Sequence, residues 1–533
     1  MLIGEENIIP GRGVQEFFGG IRFAEPPVGS LRFAPPVPKY NLDVPVFNAT
    51  EYSLLCPQST PFGGPPSAMS EDCLTVNVVR PKGVQEDASL PVMVWMYGLG
   101  FQVLNSSKYD PSPVVLQSVE RGTPVIFVSF NYRLGPFGFP QGYEATARGA
   151  LNLGLQDQLV ALEWIQRNIA AFGGDPNKVT LWGEASGASS ISFLYLNQKV
   201  DTFARAAILE SGAGYSLPTY NSTHFDGMWQ IFVEATPECA GTSPNNTFAC
   251  LREANLTTLL NSFGVVQDVL TRQFTFIPVV DGPGGLIPEL PSKLLADGHF
   301  SRLPFLTGTN LDEGTYAAPA SRNATTPQDV SDTIYYLFSP VELGSGPQPD
   351  GLIQTTNTLL ALYPNITALG SPFNTGNETF GLNPEWKRCN AILGDVYFQA
   401  PRRAWSHKMS KAGVKSFSYL FTDPQALDQD PTSVPGGVPH ESEVTYAFGG
   451  PAFAGTPSPA DSLSWSMMDY WISFAVNLDP NDGRGTQRPH WPQYTPDNEV
   501  LLQLCGDNTT VIPDDYRSVQ IAFIEAIPEQ FQQ

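Results

Sequence analysis

Apolar residues gather along this chain in short unbroken runs: LPVMVWM (Leu90–Met96), VIFVSFNYR (Val125–Arg133), KVTLWG (Lys178–Gly183), AAILES (Ala206–Ser211), LPFLTGTN (Leu303–Asn310) and KSFSYLF (Lys415–Phe421). Runs of this length, rich in Val, Ile and Phe, predict strands covered on both faces, as in a largely parallel sheet. Between the second and third runs Leu155, Leu159, Leu162 and Ile169 fall on one face at helical spacing, and Gly173 stands where that helix should end. Strand, helix, strand is the α/β alternation. Ser, Pro, Gly and Asn crowd Ala318–Gly351, which predicts surface loops with short helices. With no linker and no internal repeat, the 533 residues predict one large domain spanning 1–533.

Composition narrows what such a domain can do. At 42% apolar and 15% charged residues it can bury a large core, which excludes a disordered chain. A formal charge of −23 argues against nucleic acid or an anionic membrane as partner, and leaves a small neutral or apolar molecule. No run of about 18 apolar residues predicts a membrane span. The Met1-Leu-Ile-Gly-Glu-Glu start lacks a basic and then apolar leader, so the expectation is a mature chain whose signal peptide has been replaced by a start methionine. Six cysteines and nine Asn-x-Ser/Thr sequons, at Asn48, Asn105, Asn221, Asn245, Asn255, Asn323, Asn365, Asn377 and Asn508, fit a glycosylated chain secreted through an oxidising compartment. No Cys/His set has zinc spacing and no phosphate-binding glycine motif follows a strand, so neither metal nor cofactor is expected. Oligomeric state is not legible.

One stretch carries chemistry. Trp182–Ser189 reads WGEASGAS, in which glycines at 183 and 187 bracket the position where a serine hydrolase carries its nucleophile. In such an elbow a strand turns sharply into a helix and presents its central side chain, with small residues either side allowing close approach. KVTLWG supplies the strand and SGASSISFLYL the helix, but residue 185 is alanine.

Blocks along nearly the whole chain make the resemblance specific: FFGGIRFAEPPVGSLRF from Phe17, EDCLTVNV from Glu71, NYRLGPFGF from Asn131, VVDG from Val279, GTNLDEG from Gly308, GVPHESE from Gly437 and YWISFAVNLDPN from Tyr470. In these the sequence resembles the type-B carboxylesterase/lipase family of cholinesterases and fungal lipases. The resemblance implies an α/β-hydrolase fold, with long insertions around a site that acts on a small-molecule ester. It implies Glu313 as triad acid, His440 as base and residue 185 as the nucleophile position. It also implies an oxyanion hole from the backbone N–H groups of Leu99, Gly100 and Ser186. Leu99 stands where the family has the middle glycine of its oxyanion turn, and Leu104 where it commonly has glycine. Ser186 is a poor substitute nucleophile, because one step along the turn points the side chain elsewhere. The resemblance further implies disulfides Cys56–Cys73 and Cys239–Cys250; parity alone would pair Cys389 with Cys505. His224, His299, His407 and His490 lie in no such block and read as ordinary surface or packing histidines, while Trp95, Phe101 and Trp182 read as core rather than pocket lining.

Three readings remain open at the level of sequence. The chain is a secreted ester hydrolase silenced at position 185, by deliberate Ser to Ala exchange or by descent. Alternatively it is a non-hydrolytic binding or adhesion relative, or an acid-base catalyst that uses Glu313 and His440 without an acyl-enzyme.

Overall fold

The computed structural model describes residues 1–59, 64–269, 275–317, 321–340, 347–426, 437–454 and 457–533. Contacts divide the chain into two compact units. The first comprises Met1–Ser190, Lys199–Arg205 and Thr219–Glu289; the second comprises Ile191–Gln198, Ala206–Pro218 and Leu290–Gln533. Each unit draws on several separated stretches, so no single joining segment divides them.

In the first unit six strands, β1 (Glu5–Ile9), β2 (Gly13–Arg22), β3 (Thr75–Pro81), β4 (Leu90–Met96), β5 (Ile126–Phe130) and β6 (Gly174–Glu184), lie in the order β6-β4-β5-β3-β2-β1. Strand β4 runs parallel to both β5 and β6, while β5-β3, β3-β2 and β2-β1 are antiparallel. In the second unit β7 (Ala206–Glu210), β8 (Phe305–Asn310), β9 (Ser416–Phe421), β10 (Val500–Leu504) and β11 (Thr510–Pro513) lie in sequence order, parallel up to β10 and antiparallel at β11.

All six apolar runs are strands, and β5, β7, β8 and β9 are buried along their whole length. The strands the pattern misses are the outer ones. Strand β2 alternates in burial along GVQEFFGGIR, so it offers no continuous run. Helix α1 (Leu153–Asn168) forms as spaced, continues as a short tight turn through Phe172, and stops at Gly173 in the left-handed conformation (φ 84°). Within Ala318–Gly351, read as surface loops with short helices, Pro327–Phe338 forms a twelve-residue helix opened by a capping box between Thr326 and Asp329. Residues 318–320 and 341–346 of that stretch lie outside the described residues.

The disulfides Cys56–Cys73 and Cys239–Cys250 are both formed. Cys389 and Cys505 are free thiols, so parity misleads. Cys389 is enclosed in an apolar cluster, where burial pushes its thiol up to about 12 and makes it inert. Of the nine sequon asparagines eight are exposed, and Asn105 is half-buried, its side chain accepting from Ser107 N at 2.8 Å. Trp95, Phe101 and Trp182 are wholly buried, as core residues, and the two indoles meet edge to face at 4.9 Å.

The polar residue of the NYRLG block is part of the scaffold. Arg133 of NYRLG, just after β5, grips Asp157 on α1 with Nε and Nη2 at 2.8 and 2.7 Å, and Asp157 also accepts from Arg133 N. Both side chains are almost completely buried. Removing one partner of such a pair leaves the other as an uncompensated buried charge. Asp157→Ala is therefore expected to lose about 3–5 kcal/mol in urea unfolding, with the double change Arg133→Met, Asp157→Leu recovering most of it; equal losses in both variants would show that packing, not charge, sets the penalty.

Candidate active site

In the first unit Glu184 ends β6, Ser186 opens helix α2 (Ser186–Leu196), and Ala185 between them is left-handed with φ 49°. A Cβ on Gly183 would sit 2.8 Å from the Gly187 backbone, and one on Gly187 would run into the Met96 carbonyl. Both glycines are thus required by close approach, as the elbow pattern predicts. Gly98 is required too, since a Cβ there would lie 2.8 Å from the Ala185 methyl.

The turn after β4 packs against this elbow with three successive left-handed residues, Leu99 (φ 73°), Gly100 (φ 64°) and Phe101 (φ 63°). Leu104 is left-handed as well (φ 87°). Leucine at 99 and 104 therefore occupies backbone that favours glycine, at a penalty of about 1–2 kcal/mol each. The turn is held from outside: Gln102 Nε2 donates to the Gly100 and Thr275 carbonyls at 3.1 and 2.5 Å. Among the described residues nothing accepts from the N–H of Leu99, Gly100 or Ser186. The Ser186 hydroxyl is already engaged, accepting from Phe101 N at 3.3 Å and bonding the buried Tyr132 phenol.

In the second unit Glu313 opens a tight helical turn just beyond β8. Its Oε2 faces His440 Nδ1 at 2.6 Å, and its Oε1 accepts from Ser211 Oγ at 2.6 Å and from Asn310 N at 2.7 Å. That leaves the carboxylate a single orientation. Gly314 follows because a Cβ there would collide with the Asn390 carbonyl. Phe398 covers the imidazole, ring centroids 4.7 Å apart. Burial works against the imidazolium, yet the charge and hydrogen bond of Glu313, helped by Glu441 and Glu443, outweigh it and hold His440 above the usual histidine range.

Two further carboxylates belong to this arrangement, and sequence reasoning passed over both. Asp312, buried, accepts from Val438 N (2.9 Å), Phe373 N (2.7 Å) and Ser371 Oγ (2.8 Å), while its own N–H donates to the Val438 carbonyl. It ties the segment carrying His440 to the end of β8. Glu443 lies beneath Glu313: its Oε1 accepts from Ser211 Oγ at 3.2 Å and Tyr419 OH at 3.4 Å, and its Oε2 from Asn310 Nδ2. Burial, then the charge of Glu313, pushes Glu443 up to about 7. The signal for both was their place in GTNLDEG and GVPHESE, one residue before Glu313 and three after His440.

Thus Ala185, Leu99, Gly100 and Ser186 are gathered in the first unit, and Glu313 and His440 in the second. The remaining histidines are elsewhere; His224, for example, is stacked on Tyr220 at 3.9 Å. Among the described residues no group of three or more His, Cys, Asp or Glu side chains is arranged to hold a metal ion.

The sequence model of the Carboxylesterase family matches residues 1–524. The chain belongs to that family. It is 34% identical to Lipase 2 of Geotrichum candidum, over 96% of this chain and 92% of the lipase. Secreted lipase 1 of Botryotinia fuckeliana is 35% identical, with 98% and 91% covered, and mouse Carboxylesterase 1E is 32% identical, with 95% and 88% covered. The crystal structure of Aspergillus niger EstA superposes with a TM-score of 0.81 at 25% identity, covering 98% of each chain. The family member described here has the α/β-hydrolase fold.

A group whose folded pKa is raised keeps its proton in the fold, so the stability it contributes is present at low pH and is lost as pH rises through the folded value. For Glu443 that window runs from its ordinary 4.5 to about 7. Glu443→Gln keeps an acceptor for Ser211 and Tyr419 and cannot ionise. The melting temperature of the parent is therefore expected to fall relative to this variant between those pH values; parallel curves would mean that Glu443 titrates normally.

Proposed function

We propose that this chain is a carboxylic ester hydrolase scaffold, acting as one catalytic domain over residues 1–533, in which Ala185 occupies the nucleophile position. Glu313 is the acid that orients the imidazole, His440 the general base, and the N–H groups of Leu99, Gly100 and Ser186 the oxyanion donors. The observation that carries this reading is the buried Glu313–His440 pair at 2.6 Å, with both carboxylate oxygens committed. Such a pair favours the tautomer with the proton on Nδ1 and makes Nε2 the basic nitrogen, the arrangement general-base chemistry requires. A surface-binding relative would have no use for a buried, fully bonded acid and base. The N–H donors of Leu99, Gly100 and Ser186, which nothing among the described residues accepts from, support the same reading, because an oxyanion hole needs donors that nothing else uses.

In the serine enzyme Oγ would attack the ester carbonyl while His440 takes its proton. The oxyanion would be held by backbone donors, and His440 would return the proton to the leaving alcohol. With a methyl group at 185 the attack step is missing while binding and oxyanion stabilisation remain. By the scale of triad removals the chemical step falls about a million-fold, equivalent to about 8 kcal/mol. The chain as written binds an ester and does not turn it over.

Secretion is supported by the two formed disulfides, by eight exposed sequon asparagines that we assign as glycan sites together with Asn105, and by relatives named as secreted lipases. No helix among the described residues is long and apolar enough to cross a membrane.

Ala185→Ser is expected to raise kcat/KM on short-chain aryl esters by about a million-fold, and adding His440→Ala should abolish the gain. Because His440 must be neutral to act as base and its pKa is raised, the acidic limb of the serine form's pH profile should have its midpoint above the ordinary 6.5. A serine form as inactive as the parent would show that the turn at Leu99 has lost the oxyanion hole, and would favour binding or acyl-enzyme-free acid-base chemistry.

A further inference from the structure

The second unit contains a cavity of about 260 Å³ whose lining includes neither Glu313 nor His440. Its wall is largely apolar, with Leu362, Leu369, Phe373 and Ala391, and its two charged residues are both arginines, Arg388 and Arg517. In a chain of net charge −23 such a wall stands out.

The two guanidiniums are used differently. Arg388 spends all three nitrogens within the protein: Nε donates to the Tyr363 carbonyl at 2.5 Å, Nη1 to Glu385, and Nη2 to the Leu360 carbonyl. Arg517 pairs Nε and Nη2 with Asp395 at 2.8 and 2.6 Å, and its guanidinium lies over the Phe373 ring at 4.2 Å. Asp395 is itself shared, since it also accepts from Tyr363 OH at 2.7 Å. The remaining nitrogen, Arg517 Nη1, has no partner among the described residues, and the side chain keeps 18% of its surface exposed. A fixed guanidinium with one edge bonded and one edge open is a preformed acceptor site for a carboxylate.

We propose that this cavity binds a small monocarboxylate with a short apolar chain. The carboxylate accepts from Arg517 Nη1, and the chain lies along Leu362, Leu369 and Phe373. At roughly 30 Å³ per displaced water the space corresponds to about nine waters, which suits a ligand of about ten non-hydrogen atoms such as octanoate. Binding has a route to the base: Phe373 N donates to Asp312, and the same carboxylate holds Val438, two residues before His440. That such acids are also what an ester hydrolase releases rests on the function proposed above; the binding does not.

The test is calorimetric titration of the full chain with sodium octanoate. Octan-1-ol supplies the tail without the charge and inorganic phosphate the charge without the tail. Ala368 is exposed on the cavity rim, so Ala368→Trp plugs the cavity without touching a buried charge. Arg517→Lys keeps a cation opposite Asp395 and loses the open edge. Octanoate should saturate a single site, with octan-1-ol, phosphate and Ala368→Trp each weaker by about tenfold or more, and Ala368→Trp melting as the parent does. Arg517→Lys, provided its melting confirms a fold, should weaken binding by a similar factor. Absence of saturation, equal binding of octan-1-ol, or undiminished octanoate binding by Ala368→Trp would each overturn the proposal. None of these readouts needs turnover, so a failed Ala185→Ser rescue leaves them unaffected.

Discussion

The arrangement around residue 185 in the first unit depends on how closely three backbone segments approach one another at the ends of β4 and β6. The parallel register that sets Trp95 beside Trp182 and Met96 beside Gly183 brings the turn after β4 onto the elbow. At Gly98, Gly183 and Gly187 not even a methyl group fits. Side chains there would separate the segments, and the turn that packs on the elbow at residue 185 would open. Close backbone contact shapes this arrangement, and residue 185 is left-handed there with an alanine side chain.

The second unit meets a different constraint, the crowding of buried carboxylates. Glu313 and Glu443 share Ser211, and Asn310 bonds both of them. Two adjacent buried acids resist ionising together. The one facing His440 gains an opposite charge, and the one behind it holds its proton to about neutral pH. Asp312, also buried, accepts hydrogen bonds from three donors, and one of them fastens the segment that carries His440.

How much of this the sequence disclosed follows from the range of the interactions. The inner strands were legible because burial on both faces writes itself as an unbroken apolar run, and α1 because its period is local. Outer strands such as β2, half-exposed, leave no such run. Glu313 and His440 were reached through resemblance, not periodicity: nothing local distinguishes the glutamate of GTNLDEG from the aspartate before it. Their difference is one of partners, and those partners, Val438 and Phe373 for Asp312 against His440 and Ser211 for Glu313, are distant in sequence. The same holds for Cys389 and Cys505, where counting thiols says nothing of which ones packing keeps apart.

Leu99 and Leu104 hold a conformation that glycine would take without penalty, in the turn and loop that follow β4. Conformational strain and local shape are thereby vested in the same two residues. A program of directed evolution that selected only for heat resistance would draw both positions towards glycine and remodel the turn as a side effect, so robustness and selectivity in this scaffold would have to be selected together.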